Sequence, residues 1–234
     1  MSGYLYNHQN LGRPSIHYLD DCGIFKRYTG TFLRPECAVR NTTIPYATVP
    51  PDQSHGYLDL TISPWLSQAL GVPSVALGTL RASIREIFSN IADHSTQNIG
   101  GMHIQYFPNK NTISVSISDF GIGIPSAMRQ SFTLKRDCDA IAYALVEGVS
   151  TRAGPRRSGF GLPFIVRNIV TGNQGKVDIH SGWGKVACFQ GAQEPQLVPS
   201  DTQGLYPGTL VSIELQTDRI RQAVERREDL EWDQ

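Results

Sequence analysis

The stretch "TISVSISDFGIGIP", residues 112–125, carries an alternating strand pattern straight into an aspartate, two glycines and a proline. The alternation of Ile113, Val115 and Ile117 with serines suits a strand that buries one face. Asp119, Gly121 and Gly123 then allow two readings. Asp and Gly are ordinary turn residues, which would make this a plain strand end. Alternatively, the missing Cβ atoms let backbone approach a bound molecule while Asp119 accepts a hydrogen bond from it. The rest of the chain has to decide between them.

Upstream, "SVALGTLRASIREIFSNIADHS", residues 74–95, reads as a helix with Leu80, Ile84, Ile87 and Ile91 on one face. At roughly 100° per residue, Glu86, Asn90 and Asp93 form a polar stripe well off that face. The stripe is either a solvated helix face or the wall of a pocket. A carboxamide oxygen is a hard ligand suited to Mg²⁺, and a carboxylate one turn away can deprotonate a water or hydroxyl nucleophile. "MHIQYF" and "TISVSIS", joined by "PNKN", suggest an antiparallel hairpin.

Downstream, the helical stretch "RDCDAIAYALVEG" leads into "STRAGPRRSGFG", residues 150–161, and then into the apolar helix "LPFIVRNIV". Gly159 and Gly161 stand just before that helix, where free N–H groups and the positive end of the dipole suit a phosphate. Arg152, Arg156 and Arg157 share the loop and have the reach to meet terminal phosphates. Short strands "KVDIHS", "KVACFQ" and "TLVSIEL" complete the pattern, with Gly208 and Thr209 opening the last. Helices alternating with hairpins imply helices layered on one face of a mostly antiparallel sheet.

Length and composition limit the function classes. A chain of 234 residues can bury a sizeable core and hold a pocket. With 21 basic and 21 acidic residues there is no overall field to draw nucleic acid or an anionic membrane, so neither partner is expected. Cys22, Cys37, Cys138 and Cys188 are too scattered for a zinc or redox motif and read as reduced thiols. No secretory leader or run of about 18 apolar residues is present, so a cytoplasmic location is expected. Residues 1–73 are broken by Pro14, Pro35, Pro45, Pro50, Pro51 and Pro64 and read as an extension of unclear structure with only short elements. Residues 217–234 read as a charged helix or tail.

Glu-x-x-x-Asn on a helix, strand-Asp-x-Gly-x-Gly-Ile, a loop ending Gly-x-Gly-Leu before a helix, and Gly-Thr on a strand occur here in that order. The series resembles the GHKL ATPase superfamily of gyrase B subunits, histidine kinases, heat-shock chaperones and MutL. The pattern "REIFSNIADHS" is similar to that of stand-alone bacterial anti-sigma-type ATPases and serine kinases. The resemblance implies a Bergerat fold, a two-layer α/β sandwich over residues 74–216 that binds ATP with Mg²⁺. Carried over by motif, it implies that Asn90 holds Mg²⁺ and Glu86 is the general base, and Asp93 of the same helix stripe counts with the cofactor-binding residues. Asp119 would read the adenine amino group, Gly121, Gly123 and Ile124 would shape the adenine floor, and Thr209 would assist at the base. Gly159, Phe160, Gly161 and Leu162 would wrap the triphosphate with Arg156 and Arg157, and residues 136–158 would form a lid. The implied partner is a protein governed by nucleotide state, and a homodimer is left open. Two roles stay open as well: an ATPase or protein kinase, or a nucleotide-gated interaction module without catalysis.

Overall fold

The computed structural model describes residues 13–94, 100–149 and 161–221. Its centre is a five-stranded sheet in the order β1-β2-β3-β5-β4. The strands are β1 (Thr43–Val49), β2 (Gly100–Phe107), β3 (Thr112–Asp119), β4 (Lys176–Phe189) and β5 (Gln196–Gln216). Every pairing is antiparallel, so the expected mostly antiparallel sheet has no parallel neighbours among the described residues. β2 and β3 form the expected hairpin, with Gly100 opposite Asp119 and Phe107 opposite Thr112. Its turn closes through Asn111 at φ 49°, a conformation asparagine tolerates better than most residues.

The period-two pattern sets the inner face. Ile113, Val115 and Ile117 of β3 and Val211, Ile213 and Leu215 of β5 all point into the core and are buried. The helical layer lies against them. α5 (Gly78–His94) buries Leu80, Ile84, Ile87 and Ile91, the face expected from their spacing, together with Phe88. α8 (Gly161–Val166) continues into a π-helical stretch, Arg167–Gly172, and buries Ile165, Val166, Ile169 and Val170 in the same cluster. α6 (Gly123–Arg129) and α7 (Asp137–Ala144) pack over the β4 and β5 end of the layer.

Two expectations need correction. "KVDIHS" and "KVACFQ" are one strand, β4, which bends through a register shift at Gly182 instead of ending there. The proposed lid does not begin at residue 136. α7 buries Cys138, Ala140 and Ile141 completely, so the first half of that segment belongs to the packed layer. Residues 150–158, the rest of the proposed lid, lie outside the described residues.

The proline-rich first third is also more regular than its composition suggests. α1 (Arg13–Asp21) and α2 (Ile24–Thr29) are followed by β1, which pairs with β2 at the sheet edge. An edge strand tolerates Pro45 because one side of its ladder needs no N–H donor, and the register shifts between Ile44 and Ala47. α3 (Ser54–Tyr57), a π-helical turn (Leu58–Ile62) and α4 (Ser63–Leu70) then run on continuously. The widened turn lies just before Pro64, where the ring breaks the i→i−4 ladder. Leu58, Ile62, Leu66 and Leu70 join the same core as Ile84 and Ile104, so these residues share the core of the helical layer. At the other end, residues 217–221 are helical, with Ile220 buried and Arg221 Nε donating to Leu70 O at 2.9 Å. Residues 222–234 lie outside the described residues.

Candidate functional site

Three strands deliver side chains to one end of the sheet on the side that faces the helices. The inward series of β3 ends at Asp119, that of β5 begins at Thr209, and that of β4 reaches Ser181. Ser118 pairs with Leu210 and Ser181 pairs with Thr209, so Asp119, Thr209 and Ser181 stand side by side on neighbouring strands.

The glycines let this end close up. Gly208 adopts φ 90°, and a Cβ there would strike the Asp119 carbonyl oxygen and lie 2.8 Å from Asp119 Oδ1. Gly123 adopts φ 76°, with its would-be Cβ 2.7 Å from Ser181 Oγ and 3.0 Å from Gly208 O. Both conformations disfavour any side chain, and both approaches exclude one. Gly121 N–H donates to Asp119 Oδ1 at 2.6 Å, a local turn that holds the carboxylate against the strand end. Asp119 is half-buried, and Phe120 and Ile122 between the glycines are exposed.

Ser181 was not singled out by sequence reasoning, yet it ties this end together. Its hydroxyl donates to Gly208 O at 2.5 Å, accepts from Ile124 N–H at 3.0 Å and lies 3.4 Å from Thr209 Oγ1. The side chain is fully buried. Thus one hydroxyl fixes the start of α6 to the β5 residue beside Asp119. The only sequence signal is a serine before "GWG" at a strand end, which by itself reads as a turn.

The second half of the site lies on α5. Glu86 and Asn90, one turn apart, both face the start of α8. A Cβ on Gly161 would run into Glu86 Oε1 and lie 3.4 Å from Asn90 Oδ1. The backbone of Gly161 thus sits so close that any side chain there would displace the Glu86 carboxylate. Asp93 continues the stripe but is exposed near the helix end. Ile124 and Leu162 join the halves, each packing against both the main core and the smaller cluster of Met128, Ala140 and Ala144.

The structure therefore brings together Asp119, Gly121, Gly123, Ile124 and Thr209 at one end, and Glu86, Asn90, Gly161 and Leu162 at the other. Arg152, Arg156, Arg157, Gly159 and Phe160 lie outside the described residues. Among the described residues no three His, Cys, Asp or Glu side chains gather into a metal cage. Among them, too, no helix is long and apolar enough to cross a membrane.

A two-layer α/β domain with an aspartate-glycine strand end facing a Glu-x-x-x-Asn helix is a nucleotide-binding domain of the GHKL type. The family described as "Histidine kinase-, DNA gyrase B-, and HSP90-like ATPase" matches residues 78–217, more than half of the chain, and the protein belongs to that family. Its domain is accordingly an ATP-binding, ATPase-like one. None of the curated proteins matches the chain.

Proposed function

We propose that the protein binds Mg-ATP across the two halves of this site and uses Glu86 to hydrolyse it, or to pass its γ-phosphate to a serine of a partner protein, in a regulatory role. The observation that carries the reading is the seating of Gly161 against Glu86 and Asn90. Two motifs 71 to 75 residues apart in the chain are pressed together there, where any side chain in place of glycine would push the Glu86 carboxylate aside. In this arrangement the Asp119 carboxylate, held by Gly121 N–H, accepts the adenine amino group, and Thr209 contributes at the base. Ile124 and Leu162 supply the apolar wall between base and phosphates.

The donor set beside Gly161 fits a magnesium ion, because Mg²⁺ is commonly held by one or two protein oxygens together with phosphate oxygens. Asn90 Oδ1 would be the protein ligand, and the metal would neutralise charge on the phosphates. Glu86 takes the proton from the attacking water or serine hydroxyl as its oxygen bonds the γ-phosphorus and the bond to the bridging oxygen of ADP breaks. The partner is a protein that responds to nucleotide state, and a cytoplasmic setting suits that role.

Glu86→Ala tests the reading. The adenine contacts are untouched, so ATP affinity by calorimetry should stay within about threefold of the parent, while phosphate release falls by roughly 10² to 10⁴. Parental turnover in the folded variant would remove Glu86 as the base. An unmodified chain that binds ATP but never releases phosphate, with or without protein partners, would leave the nucleotide-gated module instead.

A further inference from the structure

The sheet has a second face, and the nucleotide reading does not use it. On β3 the serines that alternate with the core residues, Ser114, Ser116 and Ser118, all point away from the helical layer. His103 of β2 lies beside them, opposite Ser116. Over this polar floor lie α1 and α2, which present Tyr18, Leu19 and Ile24. Between floor and roof is a cleft of about 370 Å³.

Four properties of this cleft define an occupant. Its size falls in the range of small-molecule pockets. Among the described residues none of its lining side chains is Asp, Glu, Lys or Arg, so an ion would lose its hydration there without gaining a counter-charge. His103 adds no charge, because burial holds its pKa below the ordinary imidazole value. The walls differ: the roof is aromatic and aliphatic, whereas the floor runs a row of hydroxyls about 7 Å apart along β3, flanked by Tyr46, Phe107 and Leu210 of the neighbouring strands.

The polar groups of the floor are also left over. Gln105 is committed within the protein, accepting from Tyr18 Oη at 3.3 Å and Thr43 Oγ1 at 2.7 Å and donating to Thr42 O and Tyr106 O. By contrast, Ser114, Ser116 and Ser118 make no side-chain hydrogen bond among the described residues, and His103 Nε2 is buried without a partner. A buried ring nitrogen without a partner is costly, and here it lies beside three unused hydroxyls in one cavity.

We infer that the cleft between α1–α2 and the outer face of the sheet binds a small, uncharged, flat molecule. Its ring system lies under Leu19 and Ile24, beside Tyr18, whose ring meets His103 edge-on and whose hydroxyl bonds Gln105, and hydrogen-bonding groups along one edge meet His103 and the β3 serines. This site is on the opposite sheet face from Asp119 and Thr209, so it does not depend on the nucleotide reading.

The test uses the full chain with two neutral bicyclic probes, 2-naphthol and 2-quinolinone, and the anion 2-naphthoate as the charged comparison, followed by ligand-observed NMR. Saturable binding of at least one neutral probe, equal with and without ATP, is expected, with 2-naphthoate at least tenfold weaker. Ser116→Val, which fills the middle of the cleft with a side chain suited to a strand, should weaken binding at least tenfold. Ser116→Ala, which removes only the hydroxyl, should weaken it several-fold without changing the melting temperature and decides the matter if the valine variant does not fold. Asp119→Asn should bind the probes like the parent, which separates this site from the nucleotide site. Absence of saturable binding by both neutral probes, parental binding in a folded Ser116→Val or Ser116→Ala chain, or equal binding of the anion would mean a water-filled cleft only.

Discussion

Gly161→Ala separates the proposed nucleotide site from ordinary packing more sharply than any loss of a polar group. Gly161 begins α8 without a positive φ, so alanine meets no backbone strain there. Its intrinsic helix preference even favours the change by roughly 0.5–1 kcal/mol. The added methyl nevertheless occupies the place of Glu86 Oε1 and comes within 3.2 Å of Glu86 Cδ. The far end of a flexible side chain can swing away, so the collision is relieved by moving the carboxylate, not by unfolding the helix. Restoring normal contact takes a shift of roughly 1 Å, and a displacement of that size in a reacting group costs about 10²-fold in rate. The expected outcome is a melting temperature within a few degrees of the parent with phosphate release down about a hundredfold. Stopped-flow detection of phosphate and a calorimetric melt measure both quantities on one preparation. A folded Gly161→Ala chain with parental turnover would refute the idea that Glu86 and Gly161 meet at a reacting centre.

Asp119→Asn replaces the acceptor held by Gly121 N–H with an amide, so ATP affinity should fall by roughly 1.5–3 kcal/mol, and unchanged affinity by calorimetry would remove its adenine-reading role. Ser181→Ala withdraws the hydroxyl shared by Ile124 N–H and Gly208 O, so urea unfolding should show a loss of roughly 1–3 kcal/mol, and a parental midpoint would show that the bridge contributes nothing. Burial lowers the pKa of His103 from 6.5, so below about pH 6.5 the unfolded chain takes up a proton that the folded chain resists. Stability should therefore decline as pH falls from about 6.5 towards 5, and His103→Gln should flatten that decline; equal slopes in both chains would argue against the buried neutral imidazole.

Much of the layered core was legible because it rests on short-range periodicity. The apolar stripe of α5 and the alternation of β3 follow from 3.6- and two-residue repeats, and the "PNKN" turn lies between two strands that are adjacent in sequence. The ordered motifs were legible for a similar reason. Each needs only local chemistry, such as an acid at a strand end or a carboxylate and an amide one helical turn apart. Such features survive in the linear text, and together they point to the family that residues 78–217 match.

What remained hidden depends on pairings between distant residues. Nothing near Ser181 says that its hydroxyl meets Ile124, 57 residues away, because the link exists only once β4 lies beside β5. The prolines of the first third suppress any local strand signal, while β1 forms because the open edge of β2 supplies a partner for its remaining N–H and C=O groups. The first half of the supposed lid reads as a helix, but nothing in it says that Cys138, Ala140 and Ile141 are completely buried in the helical layer. The sequence by itself therefore determined α5, the β2–β3 hairpin and the class of ligand their motifs address. Tertiary structure alone decided that Gly161 presses on Glu86, that Ser181 braces the Asp119 end, and that α1 and α2 roof a second cleft, because contacts between residues far apart in the chain arise only when the sheet and its layers close.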